Sequence, residues 1–267
     1  MWADSAAALY HRLSSFGWFE EPAAAATSAR PLPAVPPPAG EGHLLSLALV
    51  LDSRCSRRDF DGTPLSQDAL TALLWCGYGR TGAGRATVPS CGGLLSLRLL
   101  VLALRVPGLA PGSAYPFEPA SLSLGPPLPD GPDGRELFRT RHIAYERAAA
   151  VVFVVGDPEP PAGRYGDRGY RYALLEAGHA AQNLCLAATA LRLGAVTVGG
   201  FDDEAVNVAF GLGDDIPYYA VAVGGAGYAT PHEEVAAVLA LGRRGCRRTG
   251  ADPVGDSAAE AGAGART

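Results

Sequence analysis

Residues 164 to 171 read Arg-Tyr-Gly-Asp-Arg-Gly-Tyr-Arg, a polar, glycine-punctuated turn that places Arg164 beside Tyr165. A phenol can take or give a proton. A guanidinium stays protonated, with a pKa above about 12, so Arg164 can supply positive charge but cannot act as a base. The chain runs on into an alanine-rich stretch in which Glu176, His179 and Asn183 are spaced by three and four. That spacing puts all three on one face of a helix. Glu176-x-x-His179 is half of a di-iron carboxylate pattern, but no second Glu-x-x-His exists to complete it, so no metal site is expected. His179 and Asn183 can serve catalysis, or they can be buried polar residues hydrogen-bonded across a helix contact. All the basic residues are arginine. No lysine is available as a general base or Schiff-base former.

Three other stretches have chemical potential. Ser53 to Phe60 carries Arg54, Arg57 and Arg58 with Ser56. Arginine forks and a serine hydroxyl match phosphate oxygens, although a solvated basic loop would read the same way. Pro89 to Gly93 is a turn of small residues, including Ser90, Cys91 and Gly92. Such a turn lets backbone N–H groups approach a ligand, or is simply tight. Gly77 to Gly82 matches G-x-G-x-x-G, but a helical pattern precedes it and a proline loop follows. A dinucleotide site needs a strand before it and a helix opening inside it. The segment reads as a helix C-terminal turn.

The elements that must position these residues are legible in outline. Residues 1–45 form an Ala/Pro-rich arm, with a short helix around Tyr10 to Leu13 and an extended Pro31 to Pro38 segment. A domain spans 46–230, followed by a C-terminal helix and disordered tail over 231–267. Ser66 is placed to cap a helix from Gln67 to Cys76, with Leu65 and Leu70 as a hydrophobic staple. Leu97 to Val106 and Ala148 to Val155 read as strands, and Tyr115 to Phe117 as part of a small hairpin. Tyr172 to Leu193 reads as a helix buried on most faces, ended by Gly194 at C′. A short helix over Asp202 to Phe210 and a last strand over Tyr218 to Val223 follow. Strands and helices without strict alternation indicate an α+β fold with a mixed sheet.

Composition narrows the class. The chain has 267 residues, 48% hydrophobic and 18% charged, with a net charge of −5. That balance supports a core and gives no basic field for nucleic acid. No apolar run reaches the roughly 18 residues of a spanning helix. The start lacks the basic n-region of a signal peptide, so a cytoplasmic location is expected. Cys55, Cys76, Cys91, Cys185 and Cys246 are widely spaced, with no C-x-x-C. That is neither a disulfide framework nor a zinc pattern.

Taken together, these stretches resemble a known set. Arg54 to Phe60 is similar to the R-R-S-x-R-x-F entry motif of nitroreductase-fold flavoproteins, and Thr197 to Asp202 to that fold's P-I-x-G-F-D stretch. Pro89 to Ser96 resembles P-S-A-G-A-L-Y-P, and Arg164 to Asn183 resembles K-Y-G-x-R-G-Y-R…E-x-G-H-x-x-Q-N. The last two belong to the SagB-type (McbC-like) thiazole/oxazole-forming dehydrogenases. The likeness covers roughly residues 45 to 225.

The resemblance implies a nitroreductase-like α+β fold with a long central helix, assembled as a homodimer with FMN at the interface. Arg54, Ser56 and Arg58 would hold the phosphate and ribityl end. Ser90, Cys91 and Gly92 would border the isoalloxazine, and Gly199 and Gly200 would offer backbone N–H near N5. The implied reaction is oxidation of an azoline to an azole in a ribosomally made peptide, with the azoline-forming cyclodehydratase as a further partner. The family pattern has a Lys-Tyr pair where this chain has Arg164-Tyr165. Proton abstraction therefore falls to Tyr165, with Arg164 as electrostatic support for the anion formed. Leu95-Ser96 replaces Tyr-Pro, which alters the expected substrate range. Two alternatives stand beside this reading. One is an FMN oxidoreductase of a small molecule or cyclic dipeptide; the other is a non-catalytic scaffold subunit of a peptide-modifying complex.

Overall fold

The small and β-branched run Ala150–Gly156 is buried along its whole length at the centre of a six-stranded sheet. Burial on both faces is what a run without polar alternation requires. The computed structural model describes residues 5–15, 43–128, 137–138, 142–227, 235–236, 238–240 and 243. Its helices are α1 (Ala6–Ser15), α2 (His43–Ser53), α3 (Gln67–Tyr78), α4 (Glu159–Tyr165), α5 (Arg168–Ala190) and α6 (Asp203–Phe210). Its strands are β1 (Leu97–Ala103), β2 (Ala114–Glu118), β3 (Ser123–Leu124), β4 (Ala150–Gly156), β5 (Leu193–Val198) and β6 (Ile216–Gly225).

The sheet order is β3-β2-β1-β4-β6-β5. Every pair of named strands is antiparallel. The parallel component is an isolated bridge between Ser56 and Ala195, which lays the arginine segment along the outer edge of β5. The expected α+β class is borne out. Side chains of β4 alternate between two cores. Ala150, Val152 and Val154 meet α3 and α5 on one face. Val151, Phe153 and Val155 meet Phe60, Phe201 and Phe210 on the other. Phe153 is fully buried, with Phe201 and Phe210 edge-on to it.

Ser66 Oγ accepts the backbone N–H of Ala69 and caps α3, while Leu65 and Leu70 are both buried in the adjoining core. Helices α3 and α5 approach closely at Gly77, where a Cβ would stand 2.6 Å from Leu184 Cδ2. The Gly77 to Gly82 segment is the end of α3 and its cap, as read from sequence.

Three expectations need correction. Helix α5 begins at Arg168, inside the supposed turn, because Gly169 is helical and sits where a Cβ would meet the Pro161 carbonyl carbon at 2.4 Å. The helix also stops before Gly194. Arg192 takes the left-handed conformation (φ 59), and Gly194 is already in β5, beside Arg57 and Phe60. Finally, α5 is not buried on most faces. Ala173, Ala177, Ala180, Ala181 and Leu184 point inward, while Leu174, Leu175, Gly178, His179 and Gln182 are exposed. The Pro31 to Pro38 segment and the tail lie outside the described residues, and the helix expected from Thr230 falls largely outside them.

Candidate functional site

The first half of α5 walls a cavity of about 370 Å³, together with Ser90, Cys91, Gly92, Tyr165 and Tyr172. Cys91–Gly93 forms a single 3-10 turn. It is locked at its start by Ser90 Oγ, which accepts the Leu95 N–H at 2.9 Å. Gly92 has φ +57, and a Cβ there would lie 2.4 Å from the Tyr165 hydroxyl. Only glycine suits both the backbone angle and the space.

Arg164 and Tyr165 stand in the last turn of α4, and Gly166 (φ 59) turns the chain into α5. Gly169 lets the two helices touch backbone to backbone. This packing aims the pair at the turn carrying Gly92. The Arg164 guanidinium carbon lies 5.5 Å from the Tyr165 ring centroid, within cation–π reach. Its Nη1 donates to the Gly92 carbonyl at 3.4 Å. Tyr172 meets Tyr165 edge-on, with centroids 5.1 Å apart.

Glu176 is the one buried charged side chain among the described residues, at 2% exposure. Tyr78 Oη donates to its Oε1 at 2.5 Å. Oε2 is buried and has no hydrogen-bond partner among the described residues, and the same holds for Ser96 Oγ and Tyr218 Oη. Burial and the bond to Glu176 push the Tyr78 phenol far above its ordinary range. Burial, and then the charge of Glu176, raise the Cys91 thiol; Arg164 opposes that shift. Cys91 thus lies between a carboxylate and a guanidinium.

His179 lines the same cavity and is exposed. Asn183 points elsewhere. Its Nδ2 donates to the carbonyls of Cys76 and Thr87 at 3.3 and 3.2 Å, clamping the end of α3 to the following loop. Of the two uses left open for Asn183, the structure shows the packing one. No group of three or more His, Cys, Asp or Glu able to hold a metal exists among the described residues.

The second set of predicted residues lies along the β5 edge. Arg57 N–H donates to the Ala195 carbonyl at 2.9 Å. Asp61 anchors the segment's end, accepting the N–H groups of Thr63 and Gly227, each at 2.7 Å. Those bonds hold the Asp61 carboxyl below its ordinary value, the Thr63 N–H contributing most. Arg54 is half-buried near Cys185, while Ser56 and Arg58 are exposed. Gly199 and Gly200 follow β5 and are exposed. At 3.3 Å per residue, Gly199 stands about 13 Å along the strand from Ala195. A second cavity, of about 700 Å³, opens beside this edge and is lined by Cys55, Arg57 and Arg192.

Arg164 and Tyr165 are therefore brought together with Ser90, Cys91 and Gly92. Arg54, Ser56 and Arg58 are brought to the β5 edge that leads to Gly199 and Gly200. The two cavities share no lining residue. Sequence reasoning missed Tyr78, which had been read only as part of a turn. Its partner Glu176 is 98 residues away, and no local signal joins them.

The Nitroreductase family pattern matches residues 51–225. A protein of Methanocaldococcus jannaschii classed as a nitroreductase is 36% identical over 165 residues, covering 61% of this chain and 82% of that one. Among solved structures, an Anabaena variabilis protein classed as a nitroreductase is 30% identical (TM-score 0.59), over 72% of this chain. This chain spans only 40% of that chain's length. The structure of an E. coli microcin synthetase McbBCD complex with truncated pro-MccB17 bound is 20% identical (TM-score 0.59), over 83% of this chain and 93% of that one. At that identity the likeness is one of fold. No helix among the described residues is long and apolar enough to cross a membrane.

Proposed function

Since the chain belongs to the nitroreductase family, whose members are oxidoreductases, we propose that it is an FMN-dependent dehydrogenase oxidising azolines to thiazoles or oxazoles in a ribosomally made peptide. The observation that carries this reading is the convergence of Arg164 and Tyr165 on the Gly92 turn, with Tyr165 and the turn lining one cavity. The motif likeness at residues 89–96 and 164–183 supports it.

The residues present fit FMN. Arg54, Ser56 and Arg58 offer the donors a phosphate needs. The guanidinium groups of Arg54 and Arg58 form no ion pair among the described residues. Around Gly199 the nearest atom to a built Cβ is Tyr219 Cε2 at 3.8 Å, so a ring can come close to this backbone. When bound, FMN supplies the acceptor for a hydride. The chain's own residues do the rest. Tyr165 Oη, entering as the phenolate, takes the carbon-bound proton of the azoline and ends as the neutral phenol. Arg164 stabilises the negative charge that proton removal creates. Loss of that proton and of one hydride converts the azoline to the azole, two hydrogens lighter. Tyr172 and the Ser90 to Gly92 turn hold the ring and exclude water.

A homodimer fits the same reading. The family likeness implies two copies with the cofactor between them. Leu47 and Leu51, one turn apart on α2, and Leu174 and Leu175 on the adjoining α5 are exposed, apolar surface such a copy would cover. Because the substrate carries an azoline, a cyclodehydratase is the activity that supplies it. The small cavity volume also favours a second reading, in which a compact molecule such as a cyclic dipeptide is the substrate.

The test is direct. Purified holoprotein is incubated with an azoline-bearing peptide, and each ring oxidised lowers its mass by two hydrogens. Tyr165→Phe is expected to lower that rate by roughly 10² to 10⁴-fold, the usual weight of a general base, without loss of flavin. Wild-type rates in the variant would remove Tyr165 from the role. A colourless protein that cannot be loaded with FMN would overturn the whole reading. Turnover of a cyclic dipeptide and not the peptide would favour the second substrate class.

A further inference from the structure

Glu176 is 2% exposed and lines the cavity, yet the proton-abstraction chemistry assigned above makes no use of it. One carboxyl oxygen is fixed by the Tyr78 hydroxyl, which donates to it at 2.5 Å. The other oxygen has no partner among the described residues. A buried oxygen left unpaired is destabilising, the more so when charged. Such an atom is retained at that cost when something outside the chain completes it. The Tyr78 bond holds the carboxyl group in place, so its second oxygen is not carried on a mobile arm. Tyr165 lines the same cavity.

We propose that Glu176 Oε2 is a substrate-binding acceptor. It takes a hydrogen bond from a peptide N–H flanking the ring to be oxidised, and so holds that ring against Tyr165. This rests on the azoline-dehydrogenase reading. The partner it recognises is an amide N–H donor rather than a carbonyl or an anion, because an acceptor-only oxygen repels both. Tyr78 is a positioning residue that acts through Glu176.

The experiment pairs a protein change with a substrate change. In the double variant Tyr78→Phe with Glu176→Met, both partners of the buried bond become apolar groups of similar shape, a replacement that folds with little loss of stability. Melting and flavin content are read first, on the holoprotein. Binding is then measured by calorimetry, using an azoline peptide and its analogue N-methylated at the flanking amide. For the wild type, N-methylation is expected to weaken binding roughly ten- to a hundredfold, the loss of one hydrogen bond to a charged group. The double variant should bind the unmethylated peptide that much more weakly and respond little to methylation. Its KM should rise more than its kcat falls. Equal binding of both peptides by the wild type, with azoline oxidation intact, would overturn the role of Glu176 alone. A wild type that neither binds nor oxidises the azoline peptide would overturn the underlying function, and this inference with it.

Discussion

The cavity at Gly92 and the edge at β5 are built on opposite plans. At the cavity, polar groups are fixed by one another: Arg164 on the Gly92 carbonyl, Tyr165 against Tyr172, and Tyr78 on a buried Glu176. At the edge, Ser56 and Arg58 are exposed and the guanidinium groups of Arg54 and Arg58 make no ion pair among the described residues. Backbone bonds, the buried Phe60 and the Asp61 carboxylate fix the course of that segment, while Ser56 and Arg58 face outward. A preorganised pocket suits chemistry that tolerates little misplacement. A strip of unpaired cations suits an anion that brings its own binding energy. The contrast divides labour within the proposed enzyme: reaction geometry in one place, cofactor retention in the other.

Changes at the edge and at the cavity should therefore fail differently. The largest effect on flavin is expected from Arg54→Ala with Arg58→Ala. Removing two charge-assisted contacts, each worth about 1.5–3 kcal/mol, should weaken FMN binding by at least a hundredfold, read as flavin absorbance after desalting. The melting temperature of the flavin-free protein should hardly move. Wild-type flavin retention would break the division, since the edge would then not be the phosphate site.

A mid-sized effect is expected at the turn. Gly92→Ala forces a left-handed residue, at about 1–2 kcal/mol, and drives a methyl into the Tyr165 hydroxyl. Turnover should fall more than FMN affinity, because the turn borders the ring and not the phosphate. A variant that instead sheds flavin but keeps its rate per bound flavin would exchange the two roles.

The smallest effect concerns Cys91. Burial and Glu176 raise its thiol, so it stays protonated to higher pH than a free cysteine, near 8.5. Alkylation, followed by the mass of the peptide bearing residue 91, should be slow at pH 8 and quicken above pH 9. Arg164→Ala removes the one nearby charge that lowers the thiol, and should slow alkylation further. Faster reaction than a free thiol at pH 8 would show that burial and Glu176 do not raise this thiol.

Legibility in the sequence followed the range of the interactions involved. The α3 cap, the β4 run and the β2–β3 hairpin depend on neighbours a few residues away, and all were readable. Strand β5 was not, because Gly194 in Leu-Gly-Ala-Val-Thr-Val reads as a helix stop, while in three dimensions it makes room for Arg57 and Phe60. The start of α5 was misplaced for the same reason: Gly169 looks like turn punctuation but serves the contact with Pro161. A run of small residues also does not say which face of α5 is covered. The pairing of Arg164 and Tyr165 with the Ser90 to Gly92 turn was suggested only through the family likeness; the spatial contact supplies its geometry. The Tyr78–Glu176 bond joins residues with no sequence relation at all.

Position 92 carries a last implication, for how this protein can vary. Its missing side chain is filled by the Tyr165 hydroxyl and the Arg164 guanidinium, contributed from more than seventy positions along the chain. The three positions therefore form one inherited unit. A relative bearing a larger residue at the turn should also carry a shorter side chain at the position of Tyr165. Variant libraries that randomise the turn alone should return almost nothing but glycine.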